Sequence, residues 1–134
     1  MTELSHDIQV RWSDLDGLGH VNHSTVLAYL EVGRDAALHT LGIEPDQYVV
    51  RQCDVNYLHE LRPAESGVEY RCDGLIPGRT SIRTRERLLD AQGRNAVEAQ
   101  FTLVMWDAAL RGSRPLTSDE RRNLSSLSYE ESMK

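Results

Sequence analysis

The sequence predicts an α+β fold in which a five-stranded antiparallel sheet wraps around one long central helix, with a short helix at the C-terminus. One long stretch has apolar residues at helical spacing, and five stretches alternate apolar with polar residues. The last four strands follow one another without an intervening helix, so they are expected to pair antiparallel. The length of 134 residues fits a single domain.

The N-terminal part of the chain predicts a strand, a glycine-rich turn and the long helix. Apolar residues recur at helical spacing from Thr25 to Leu41, and Gly42 is a natural stop. Asn22 or Ser24 is expected to cap the start of this helix. The strand before the turn is indicated by a period-two pattern at His6, Ile8, Val10 and Trp12.

Four further strands are predicted between residues 49 and 105, separated by turn sequences such as Pro77-Gly78 and Asp90–Gly93. Residues 107–115 are expected to form a loop, and Thr117 or Ser118 to begin the C-terminal helix. The alternating residues of the four strands are Val49, Cys53, Val55 and Tyr57 (with Arg51 as a break), then Val68, Tyr70, Cys72 and Ile76, then Ile82, Thr84, Glu86 and Leu88, and finally Val97, Ala99, Phe101, Leu103 and Met105.

The charge, the cysteines and the apolar segments of the chain indicate which partners and which compartment to expect. The chain carries 15 basic and 21 acidic residues, a net charge of −6, and it has no basic block, so nucleic acid is not an expected partner. Cys53 and Cys72 form no CxxC pair and lie within predicted strands, where we interpret both as small core residues. We expect a cytoplasmic protein without a secretory leader or a membrane span.

The turn between the first strand and the helix concentrates polar chemistry, with Asp14, Asp16, His20, Asn22 and His23 close together. A turn that enters a helix places unpaired backbone N–H groups beside these side chains, which suits a reaction that develops negative charge on oxygen. Each aspartate has the alternative of a structural Asx turn.

The same turn has two alternative interpretations as a metal site. A calcium loop is disfavoured because Leu18 and Thr25 stand where ligands are needed. A zinc site would need His20, His23 and a third ligand, either His59 or Asp16, but no second cluster of ligands fixes its geometry.

Two further features are open to more than one interpretation. Arg83, Arg85 and Arg87 share one strand face, either as a solvated surface or as a basic strip for a polyanionic cofactor. The turn from Pro77 to Ser81 combines one cation with two hydroxyls and is either a phosphate contact or only a turn.

The chain resembles the hot-dog-fold acyl-CoA thioesterases, specifically the 4-hydroxybenzoyl-CoA thioesterase family. The resemblance spans nearly the whole chain in order, and its first motif is the specific one. The matching motifs are Asp14-Leu15-Asp16-Gly17-Leu18-Gly19-His20-Val21-Asn22-His23, Leu27–Glu31 with Arg34, Asp54–Leu58 with Leu61-Arg62-Pro63, Gly78–Ser81, Val97-Glu98-Ala99 and Arg114-Pro115-Leu116.

The resemblance implies hydrolysis of an acyl-CoA thioester, with Asp16 as general base or nucleophile. Backbone N–H groups near Asn22 and His23 would polarise the thioester carbonyl, and both residues are taken as catalytic candidates. No cofactor or metal is implied, because CoA is part of the substrate. The candidate substrate-binding residues are Gly19, Tyr57, His59, Arg79, Thr80 and Ser81, of which Arg79 and Ser81 match positions that meet CoA phosphates.

The family site lies between two subunits, so a homodimer or a dimer of dimers is expected. Residues 1–116 would form the thioesterase domain, and residues 117–134 its C-terminal helix and frayed tail. Val26 and His23 depart from the residues found in many relatives, and both would line the acyl pocket or its entrance, so the acyl preference cannot be transferred. The alternatives are a non-catalytic acyl-CoA-binding protein and a thioesterase that acts on acyl-carrier protein; a hydratase is disfavoured because its catalytic motif is missing.

Overall fold

The computed structural model describes residues 4–11, 14–17, 21–62 and 67–125. Its elements confirm the predicted α+β architecture. In chain order they are β1 (Leu4–Ile8), α1 (His23–His39), a 3₁₀ turn (Pro45–Gln47), β2 (Tyr48–Tyr57), β3 (Val68–Pro77), β4 (Ser81–Leu89), β5 (Asn95–Asp107), β6 (Gly112–Ser113) and α2 (Ser118–Ser125).

The five long strands form one antiparallel sheet in the order β1-β3-β4-β5-β2. The two-residue strand β6 pairs with the end of β5, inside the segment that was predicted to be a loop. Because β2 follows α1 and then pairs with the last long strand, it occupies one edge of the sheet, and β1 occupies the other.

Helix α1 begins at His23 with Asn22 as its cap, because the Asn22 side chain accepts a hydrogen bond from the Thr25 N–H at 3.0 Å. The helix ends at His39, two residues before the predicted end. Gly42 follows with a φ of +82°, a conformation that favours glycine and lets the chain turn back toward the sheet.

The core lies between α1 and the inner face of the sheet, against β1, β3 and β4. At Gly33 the helix comes so close to the sheet that an added Cβ would lie 2.1 Å from Cγ of Tyr70. The next residue, Arg34, crosses the same interface and forms a buried ion pair with Glu86 of β4, with N–O distances of 3.0 and 3.1 Å. The Arg34 guanidinium also stacks on the Phe101 ring at 3.7 Å.

The predicted first strand is too long. β1 ends at Ile8 because its pairing partner β3 begins at Val68, so residues beyond Ile8 have no strand to pair with. Gln9, Val10 and Arg11 are not in a strand, and Trp12 lies outside the described residues.

Two β-bulges, one in β2 and one in β3, change which residues face the core compared with the predicted alternation. In β2 the register shifts between Val50 and Gln52, at the Arg51 break, so Val50 rather than Val49 lies opposite an inward-facing residue of β5. In β3 the shift falls between Cys72 and Gly74, so Leu75 rather than Ile76 faces the core.

The interpretation of Cys53 as a core residue is wrong, whereas Cys72 is buried as predicted. Cys53 lies on the edge strand β2, most of whose side chains are exposed. Neither described helix combines the length and the apolar character that crossing a bilayer requires.

Candidate active site

A cavity of about 350 Å³ opens beside the N-terminus of α1. We call it the Asp16 cavity. It brings together five of the predicted site residues, which come from the turn, the helix start and the end of β2. These residues are Asp16, Asn22, His23, Tyr57 and His59.

The turn that carries Asp16 is held at its base. Leu15 and Val21 form an antiparallel bridge, and the Val21 N–H donates to the Leu61 carbonyl at 2.7 Å. Asp16 follows the bridge on one side, and Asn22 follows it on the other. This closure therefore places the Asp16 carboxylate and the first residues of α1 around one opening.

The start of α1 supplies hydrogen-bond donors to this cavity. The Thr25 N–H is used by the Asn22 side chain, and the Val26 N–H donates to the Asn22 carbonyl at 3.1 Å. The N–H groups of His23 and Ser24 have no acceptor within the helix, because no helix carbonyl lies four residues before them. Donors at a helix N-terminus also carry the positive end of the helix dipole, which favours a developing oxyanion.

The far wall of the cavity is the end of β2 and the residues after it. The Tyr57 hydroxyl donates to the His23 carbonyl at 3.5 Å, and burial raises the pKa of this phenol, with a further contribution from Cys53. The Leu58 and His59 N–H groups both donate to the Ala96 carbonyl, at 2.8 and 3.1 Å. That shared acceptor bends the chain at the end of the strand, and His59 lies at the cavity.

The predicted phosphate-contacting residues lie elsewhere on the chain. Arg79, Thr80 and Ser81 form the turn between β3 and β4, and Ser81 pairs with Val104 of β5, whereas Tyr57 pairs with Val97. Seven residues of extended strand separate these positions, about 23 Å. Gly19 and His20 lie outside the described residues.

Sequence reasoning identified only part of the apolar floor of the cavity. Four buried side chains form it: Val21, Val26, Leu61 and Val97. The family resemblance placed Val26 at the acyl pocket, as it did His23, whereas Val97 was interpreted only as a residue of the last strand. Their alternation and helical spacing indicate burial, but a pattern of that kind carries no information about which buried residues border a cavity.

The described residues provide no set of side chains that could bind a metal ion. Within residues 4–11, 14–17, 21–62 and 67–125, no three His, Cys, Asp or Glu side chains are arranged to hold a metal ion. His20, which the zinc alternative requires, falls outside these ranges.

Comparison with known proteins identifies the family and the fold. A family model described as the thioesterase-like superfamily matches residues 10–124. No curated protein matches the chain.

Three solved structures illustrate the likeness. A predicted thioesterase from Bacillus stearothermophilus shares 22% identity at a TM-score of 0.85, with 96% of this chain and 98% of that chain covered. A DHNA-CoA thioesterase from Staphylococcus aureus shares 18% identity at a TM-score of 0.81, with 94% and 91% covered. A thioesterase from Thermus thermophilus, crystallised with coenzyme A and Zn, shares 28% identity at a TM-score of 0.77, with 92% of each chain covered.

Proposed function

The chain belongs to the thioesterase-like superfamily, and on that premise we propose that the Asp16 cavity hydrolyses an acyl-CoA thioester to a free acid and CoA. The observation that carries the proposal is that Asp16 and the N-terminal end of α1 line the same cavity. Thioester hydrolysis needs a carboxylate or activated water on one side of the carbonyl and oxyanion donors on the other. The CoA ligand of the Thermus thermophilus thioesterase supports CoA as the thiol portion.

Two routes use the same residues. In the first, Asp16 takes a proton from water while the water oxygen bonds to the thioester carbon. In the second, an Asp16 oxygen bonds to that carbon and forms a mixed anhydride that water then hydrolyses. In both, the carbonyl electrons move onto oxygen beside the His23 and Ser24 N–H groups, and the C–S bond breaks as they return. CoA leaves as a thiolate, which takes up a proton.

The apolar floor of the cavity supports an acyl group as the other half of the substrate. Val26 and Val97 face the opening from the helix and from the sheet, and neither offers a hydrogen bond. The motif that runs from Asp14 to His23 supports placement in the 4-hydroxybenzoyl-CoA thioesterase family in particular. No cofactor or metal enters either route.

We assign the second half of the CoA site to another copy of the chain. β2 is an edge strand, and its exposed inner side chains include Val50 and Tyr57. Antiparallel pairing of β2 with its copy would set the Tyr57 end of one chain beside the Tyr48 end of the other. The partner subunit's Ser81 would then lie three strand spacings from the cavity, about 14 Å, rather than the 23 Å or so within one chain. Arg79 beside it would meet CoA phosphate.

The first test is free-thiol release from acyl-CoAs of increasing chain length and from aromatic acyl-CoAs. We expect Asp16→Asn to lower kcat by at least about a thousandfold with the fold intact, and Asp119→Asn, an exposed carboxylate on α2, to leave kcat unchanged. An acyl adduct on Asp16 in rapidly quenched enzyme would identify the nucleophilic route. CoA binding without thiol release would indicate a binding protein, and turnover only of carrier-protein thioesters would indicate the other substrate class.

The shared site has its own test. Asp16→Asn and Arg79→Ala homodimers are each expected to be impaired, the second through a KM about tenfold higher. A mixed dimer contains one site in which Asp16 from one chain and Arg79 from the other are both intact. In an equal mixture about half of the dimers are mixed, so about a quarter of all sites should be intact, and the rate below KM should approach about a quarter of the wild-type rate. A site built from a single chain would give no more than the residual rate of the Arg79→Ala chains.

A further inference from the structure

Two tyrosine–aspartate hydrogen bonds hold α1, one near each end. Near the N-terminus, the Tyr29 hydroxyl donates to Asp14 Oδ2 at 2.5 Å, and the two residues are only 3% and 4% exposed. Farther along the helix, the Tyr48 hydroxyl donates to Asp35 Oδ1, also at 2.5 Å. The chemistry of the two contacts is alike, but only the first involves the turn that carries Asp16.

Asp14 has further donors besides Tyr29. The Arg11 N–H donates to Asp14 Oδ2 at 2.9 Å, and the Arg11 guanidinium donates to Oδ1 at 3.1 Å. Burial alone would raise the pKa of Asp14, but the hydrogen bonds from Tyr29 and Arg11 outweigh it, so the pKa is lowered. The pKa of Tyr29 is raised by burial and by Asp14. The contact therefore joins an ionised carboxylate to a neutral phenol near neutral pH and is not a proton switch.

The path from this contact to Asp16 is short. Asp14 precedes Leu15, which is fixed by its bridge to Val21, and Asp16 follows directly. Tyr29 belongs to the second turn of α1, whose first turn presents the His23 and Ser24 N–H groups. The Tyr29–Asp14 bond thus ties the loop that carries the carboxylate to the helix that carries the oxyanion donors.

We propose that Tyr29 and Asp14 are positioning residues, which fix the distance between the Asp16 carboxylate and the N-terminal N–H groups of α1. The inference rests on the proposed hydrolysis at the Asp16 cavity. Neither side chain is among the residues that line the cavity. Their loss would leave the CoA contacts intact and would displace the reacting groups relative to each other, which affects the transition state rather than binding.

The experiment compares Tyr29→Phe with Asp35→Asn. The first removes the donor of one tyrosine–aspartate bond of α1, and the second neutralises the acceptor of the other, so both should lower the melting temperature. Tyr29→Phe should lower kcat by at least about tenfold with KM and CoA affinity changed less than about twofold. Asp35→Asn should keep the wild-type kcat, because Asp35 does not line the Asp16 cavity.

Other outcomes would overturn either the positioning role or the proposed function. Equal kcat values for wild type, Tyr29→Phe and Asp35→Asn, with Asp16→Asn inactive, would overturn the positioning role and leave the proposed function standing. Absence of hydrolysis in the wild type would overturn the function itself. If Tyr29→Phe does not fold, Asp14→Asn, which keeps the shape of the side chain, replaces it. That variant should lose kcat in the same way, but less than Asp16→Asn does.

Discussion

β5 and β2 are hydrogen-bonded neighbours with similar alternating sequences, yet one is buried and the other is exposed. The inward-facing residues of β5, from Val97 to Met105, are almost completely inaccessible, whereas Val50 and Tyr57 on β2 are 48% and 49% exposed. The difference lies in the place of each strand, because β5 lies between β4 and β2 and its Phe101 packs under Arg34 of α1, whereas β2 is at the edge of the sheet. An apolar face of this kind at a sheet edge indicates a partner, and the proposed one is a second copy.

The largest expected effect tests the burial of the two strands directly. Leu103 is fully buried, and Val50 lies opposite it. Leu103→Ala should lower the free energy of unfolding by about 2–5 kcal/mol, because it leaves a cavity in the core. Val50→Ala should cost less than about 1 kcal/mol in denaturant titrations at protein concentrations low enough to keep the chain monomeric. Equal costs for the two variants would show that β2 is covered within one chain.

A charge on β2 should disrupt association without unfolding the chain. Val50→Lys buries an unpaired ammonium if two β2 strands pair, so we expect a dimer at least tenfold weaker by light scattering and sedimentation. The matched control is Leu110→Lys, at an apolar residue that is 81% exposed in the turn after β5, and it should leave association unchanged. Equal oligomeric states for both variants would rule out the β2 edge as the interface.

The smallest effect is on thiol reactivity. Cys72 is buried on β3, and burial raises its pKa to about 12, so it should not react with a disulfide reagent at pH 8 while the protein is folded. Cys53 on β2 should react slowly in the wild-type dimer and rapidly in Val50→Lys. Identical Cys53 rates in the two proteins would contradict pairing at β2.

The strands and the helix were largely predictable because their signals are local. Asn22 caps the helix, Gly42 adopts a positive φ after it, and the turns that follow Pro77 and Asp90 separate strands. The errors in the predicted strand faces arise from features that the alternation of apolar and polar residues does not reveal. A bulge at Arg51 or Asp73 inserts one residue, which exchanges the faces of every residue that follows. The exposure of Cys53 depends on the position of β2 at the edge of the sheet, which the residue pattern of β2 does not show.

The candidate site was predictable only in part. The shared cavity of Asp16, His23 and Tyr57 follows the family resemblance, although the roles of these residues stay predictions. The separation of Arg79 from that cavity was not predicted, because spacing in the chain does not say at which end of the sheet a turn lies. The Tyr29–Asp14 bond was also missed. It joins residues 15 positions apart, and Tyr29 stood out only as a member of the Leu27–Glu31 motif of the family resemblance.

The buried ion pair of Arg34 and Glu86 has a consequence for alignment between the helix and the sheet. Apolar contacts such as those of Val26, Leu30 and Leu38 are not directional, so they resist a slide of the helix by one turn of about 5.4 Å less than an ion pair does. Such a slide would strand two charges in the apolar interior, and an uncompensated buried charge costs several kcal/mol. The ion pair of Arg34 and Glu86 therefore fixes the position of the helix along the strands that it packs against.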